Sequence, residues 1–252
     1  MFNYLKDPAF KLAKDQLKNL TLLLLPFFVL FFIYYSTEFH TSIVSNDLYQ
    51  NPYHSYSFTN NHTSWLLIFI SVFEMIAGIQ IYKALVNKDF SGLNLGSSIE
   101  NFVIVLLGNV ALGILYLVLM AIVFATLFII PILSIGFPLL LISIPVLLLI
   151  ILYGSIRLSY TRLIFIDLLV DFSGNYSEKK DLNFVDKIVF SLKESWRITS
   201  GQVLKIILLS LTLVGWIILV LITLGLAIFF VQPYLLGIEM LLYKDLIDNA
   251  NK

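Results

Sequence analysis

Two carboxylates sit inside long apolar runs. Glu74 lies near the middle of the run from Trp65 to Leu85, and Glu239 lies in the run from Leu226 to Tyr243. A charged side chain at the centre of a membrane is disfavoured by about 2.5–3.5 kcal/mol on insertion scales, so such residues point to ion paths, proton relays or cationic ligands. The bland alternative is a polar tie between helices. Ser71, Glu74, Gly78 and Tyr82 recur every three or four residues, which puts them on one helix face turned towards a bundle interior. No Lys or Arg falls in an assigned membrane core, so Glu74 is expected to hold a proton or to bond a Tyr, Asn or Ser of a neighbouring helix. Asn109 is a third intramembrane polar candidate, on a face with Gly113, Tyr116 and Met120. Glu239 stands close to Tyr243 and Lys244, where local pairing at the inner surface is expected.

A second group is cationic and aromatic. Arg157, Arg162, Trp196 and Arg197 fall in the polar stretch between Arg157 and Lys205, which holds eight of the chain's sixteen Lys and Arg residues. Guanidinium groups match phosphate geometry, so these residues are candidates for a lipid headgroup or a membrane partner. The competing reading is ordinary cationic flanking of membrane spans, with pairing to Asp167 or Asp171 and Trp196 as an interfacial anchor.

Other chemistries are poorly provided for. The absence of cysteine removes disulfides, thiolate metal sites and thiol nucleophiles. His40, His54 and His62 lie with Glu38 and Asp47 between residues 36 and 63, at spacings that match no local ligand pattern. Neither a Gly-x-Ser-x-Gly elbow nor a phosphate-binding Walker loop occurs. The expectation is therefore a protein without catalytic residues, metal or cofactor. Basic residues are scattered along membrane flanks and form no single patch, so nucleic acid is not an expected partner. Membrane lipids, another membrane protein or a second copy of the chain are.

The elements that must position these residues are membrane helices. At 59% hydrophobic and 13% charged, the chain has more apolar surface than a soluble fold of 252 residues can hide. The expected fold is all-α, one polytopic bundle over residues 1–252. Six spans are placed at about 18–36, 65–85, 99–125, 139–160, 203–222 and 226–243. Residues 37–63 form an outer loop, and 157–202 a cytoplasmic arm. The first span is read as uncleaved, since Tyr34, Tyr35 and Glu38 occupy the place of a small-residue cleavage site. Before it, Leu5, Leu12 and Leu17 suggest an amphipathic segment lying on the membrane surface. Pro131, Pro138 and Pro145 break the later part of the apolar region 99–156 at seven-residue intervals, and the connection 130–144 must be interfacial or tucked against the bundle. Within the arm, residues 182–200 read as an amphipathic helix with Val185, Ile188, Val189, Leu192 and Trp196 on one face. With both termini inside, all sixteen Lys and Arg fall on the cytoplasmic side. The expected location is a bacterial cytoplasmic membrane.

One pattern in the arm is specific enough to compare. Arg157-Leu158-Ser159 leads through Ile166-Asp167 to a loop, and then to Ser195-Trp196-Arg197-Ile198-Thr199-Ser200-Gly201 ahead of the next apolar run. This resembles the membrane domain attached to some glycerophosphodiester phosphodiesterases and the uncharacterised YciC-like membrane proteins. The resemblance covers about residues 99–246 and implies the membrane fold. Ile198 stands where those families carry leucine, and Glu239 where a small or hydroxyl residue is usual. The phosphodiesterase barrel has no counterpart here, so that activity is not implied. The first expectation for function is a non-enzymatic scaffold or accessory protein that binds lipid or a partner through the arm, in export, envelope stress or immunity to a membrane-active peptide. The second is a small transporter or channel working through Glu74.

Overall fold

The computed structural model describes residues 2–50, 63–88, 93, 102–124, 149, 151–223 and 225–252. Among them the regular structure is helical throughout, with no strand. The helices are α1 (Asn3–Asp15), α2 (Leu17–Leu23), α3 (Leu25–Gln50), α4 (Thr63–Tyr82), α5 (Phe102–Phe124), α6 (Thr161–Val170), α7 (Phe184–Ile198), α8 (Val203–Ile222) and α9 (Ile228–Ala250). A wider π-helical turn, Lys83–Asn87, closes α4, and residues 151–158 are also helical.

Among the described residues two helices are long and apolar enough to cross a membrane, Leu66–Val86 and Val203–Ile222. A third is added if α2 and the first part of α3 count as one span bent by 57°. The bend has a local cause. Pro26 has no N–H to give to the carbonyl one turn back, so the helix breaks at Leu24. α8 makes the membrane reading physical: Leu204, Leu211, Leu221 and Ile222 are 62–74% exposed on a helix that is apolar all round. Such a surface needs hydrocarbon around it. The chain has the pattern of a helical membrane protein. The start of the expected fourth span, the 130–144 connection, His54 and His62 lie outside the described residues.

Three expectations change. α3 stays helical to Gln50, so the first half of the expected outer loop 37–63 continues the helix. α1 does not keep its apolar stripe for the membrane surface. Leu5, Ala9, Leu12 and Ala13 are buried, and α1 packs along α9. Gly237 allows this, because a Cβ there would lie 3.0 Å from the Cβ of Ala9 and 3.5 Å from its Cα. On α5 the packing face is Val105, Gly108 and Leu112 rather than the face of Gly113, which has nothing within 4 Å of a Cβ. Gly108 is the small residue that lets Phe165 and Leu169 of α6 come close.

α9 is the hub. It touches α1, α2, α4, α7 and α8, and Tyr234, Ile238, Tyr243, Leu246 and Ile247 are almost wholly buried. The arm is bound to it through Asp167. The left-handed residue Asp171 (φ 55°) ends α6 and turns the chain back. Asp167 then accepts hydrogen bonds from the Ser173 N–H (2.9 Å), the Ser173 hydroxyl and the Tyr243 hydroxyl (2.9 Å).

Candidate functional site

Helix periodicity brings polar side chains from α4, α6 and α9 to one place. Glu74 projects from α4, and the Gln232 side-chain amide of α9 donates a 2.7 Å hydrogen bond to its carboxylate. One turn further along α4, Gly78 leaves room for Met240: a Cβ there would meet the Met240 methyl at 2.4 Å, so the two helices are close at this level. Gln232 and Glu239 are seven residues apart, two turns of helix, and so share a face of α9.

Arg162 completes the group. Its guanidinium donates to the Ser71 carbonyl of α4 and stands within electrostatic reach of Glu74, Glu239 and Tyr116. Tyr116 of α5 in turn donates to the Leu158 carbonyl at 3.4 Å and interacts with Thr161. The sequence left Glu74 without a cation because Arg162 counted as part of the inner flank. The turn at Ser159–Tyr160 separates Arg162 from the preceding helical residues and swings it into the bundle.

Glu239 is exposed although Ile238 and Met240 on either side of it are 1% and 2% exposed. The Glu239 side chain thus stands beside tightly packed residues of α9, within electrostatic reach of Glu74 and Arg162. Two carboxyl groups share one guanidinium here, so the second can be balanced only from elsewhere. An uncompensated charge there is strongly disfavoured, so the arrangement calls for one more positive charge, a proton or a small cation. Among the described residues no three His, Cys, Asp or Glu side chains group as a metal site. Asn109 of α5 is half-buried, and its amide nitrogen has no hydrogen-bond partner among the described residues.

The arm candidates are arranged differently. Arg157 is only 5% exposed, with its guanidinium over the Trp196 ring at 4.5 Å and near the Tyr153 ring at 5.7 Å. The carbonyl of Arg157 accepts the Ser195 hydroxyl at 2.8 Å, which ties α7 to the end of the preceding helix. Arg197 is held by Glu194 at 2.6 and 2.8 Å, by the Ala250 carbonyl at 2.8 Å and by the Asn251 side chain at 3.0 Å. The hydrogen bond to Glu194 is the main reason its pKa is raised. Glu194 also accepts the Tyr176 hydroxyl at 3.1 Å, and burial foremost, then this carboxylate, pushes the phenol pKa up. Burial also raises the Asp167 carboxyl above the usual range, against the hydrogen bonds from Ser173 and Tyr243. Arg157, Trp196 and Arg197 thus make contacts within the chain, with Trp196 also 45% exposed, and Arg162 belongs to the Glu74 group.

Gln232 was missed from sequence. The signal available was its spacing from Glu239 on one apolar helix.

A family model described as "Protein of unknown function (DUF975)" matches residues 4–250. The chain belongs to this uncharacterised family. The match does not extend to the YciC-like and phosphodiesterase-associated groups. No curated protein and no solved structure matches the chain.

Proposed function

We propose that this DUF975 member is a non-enzymatic integral membrane protein that binds a small cation or proton at the Glu74 cluster and carries it across the membrane. One observation carries the reading: Glu74, Gln232, Arg162 and Glu239, from three helices, form a group in which two carboxyl groups share one guanidinium, and Glu239 is exposed. A purely structural tie has no need of that second, accessible carboxylate. The supporting topology is six spans with both termini in the cytoplasm of a bacterial cell. Its basis is the placement of all sixteen Lys and Arg residues on the segments assigned inside.

The test uses protein reconstituted in vesicles with a trapped pH dye and either Na⁺ or K⁺ outside. Wild type should show a cation- or proton-dependent signal, and Glu239→Gln should abolish it while leaving the melting temperature in detergent nearly unchanged. Equal signals from wild type, Glu239→Gln and empty vesicles would overturn the reading.

A second reading has its own support. Arg157 and Arg197 fix α7 firmly on the bundle, and α7 turns an apolar stripe outward. That arrangement suits an accessory protein or scaffold that holds lipid or a membrane partner on its arm. Glu74→Gln separates the two: a carrier loses flux, whereas a scaffold loses only some stability.

A further inference from the structure

α7 is attached by the face that the amphipathic pattern would leave in water. Ser191, Ser195 and Ile198 are 0–1% exposed and Glu194 is 7% exposed, so its small and polar side is the side packed on the bundle. Val185, Val189 and Trp196 are 67%, 42% and 45% exposed, with Leu192 half-buried between them. At spacings of four, three and four residues these four form one apolar stripe. Lys193, Asp186 and Arg197 are exposed on the adjoining side.

We infer that the occupant of this stripe is the bilayer itself, and that α7 lies in the plane of the cytoplasmic membrane surface with Val185, Val189, Leu192 and Trp196 among the lipid chains. Continuity argues for this occupant. At one end, Trp196 meets the Tyr153 ring edge-on at 6.1 Å, and exposed Leu149 and Leu152 follow on the same helical stretch. At the same end, the chain passes through Gly201 (φ 73°) into α8, whose Leu204 is 68% exposed. At its Trp196 end the stripe therefore adjoins exposed apolar residues of both neighbouring helical segments. Trp196, Tyr153 and the guanidinium of Arg157 packed against both rings form the aromatic and cationic group favoured at headgroup depth. The helix itself has the interfacial pattern: an apolar stripe, with charged Asp186, Lys193 and Arg197 beside it. This inference is independent of the cation cluster.

The chain has no cysteine, so single probes can be placed in the full protein without background. Val185→Cys, Val189→Cys and Lys193→Cys, each carrying an environment-sensitive fluorophore, are reconstituted in vesicles of phosphatidylcholine and phosphatidylglycerol. Doxyl-labelled lipid should quench positions 185 and 189 several-fold more strongly than 193, and aqueous iodide should do the reverse. Iodide reaching all three positions equally would overturn the inference. So would shielding of 185 and 189 from both quenchers, which would put a protein surface, a partner or a second copy, on the stripe.

Discussion

At the scale of single residues, charge and hydrogen bonding at Glu74 can be separated. Glu74→Gln keeps an oxygen for Gln232 and removes only the charge, so a stability change of about 1 kcal/mol or less is expected. Glu74→Leu removes the same charge and also leaves the Gln232 amide without its acceptor, and a further loss of about 1–3 kcal/mol is expected. Thermal unfolding in detergent distinguishes the two outcomes. Asp167 makes a pH prediction with a definite sign. Its folded-state pKa is raised, chiefly by burial, so the folded protein holds the proton more tightly than the unfolded chain. Stability from this group is greatest below the unfolded value of about 3.9 and falls as pH rises through the folded-state value. Relative to Asp167→Asn, which cannot titrate, wild type should therefore gain stability as pH is lowered through that window. A gap that stays constant, or moves the other way, would show that the carboxylate is held as an anion. The sequence made Glu74 and Glu239 stand out, because an acid in an apolar run needs no tertiary knowledge to be noticed. It concealed Arg162, whose place depends on how the chain turns at Tyr160.

At the scale of elements, the close approach of α1 to α9 rests on Gly237. Gly237→Ala would press a methyl against Ala9, backbone included, and overpacking of this kind destabilises by about 1–3 kcal/mol. Gly215→Ala on α8 has nothing within 4 Å and should be neutral, or stabilising by up to about 1 kcal/mol through helix propensity. Melting curves of the two variants, side by side, test whether α1 is a packed element or a surface one. Helix positions were largely legible from apolar periodicity, as α4, α7 and α8 illustrate. Helix faces were less so. The stripe of α1 could serve lipid or protein equally well, and its partner lies at the far end of the chain. On α5, so apolar that every face resembles a packing face, the choice between Gly108 and Gly113 depended on Phe165 and Leu169 of another helix.

At the scale of the molecule, orientation can be tested by labelling. With six spans and both termini inside, His54→Cys should react with a membrane-impermeant maleimide on intact cells and Lys180→Cys should react only after permeabilisation. The reverse pattern would invert the topology. The hub position of α9 has a consequence for how the molecule is made. The Tyr4 hydroxyl reaches Asp245, 241 residues away, and Lys205 pairs with the same carboxylate. Chains emerge from the ribosome at about 5–20 residues per second. For tens of seconds, therefore, α1 has no surface to close upon, and Glu74 waits in the membrane without Gln232. The early helices must be held open or sheltered until the final one arrives. A chain halted before Gln232 would leave Glu74 without its hydrogen-bond donor and Arg162 without Glu239, a mark by which membrane quality control tells unfinished copies from finished ones.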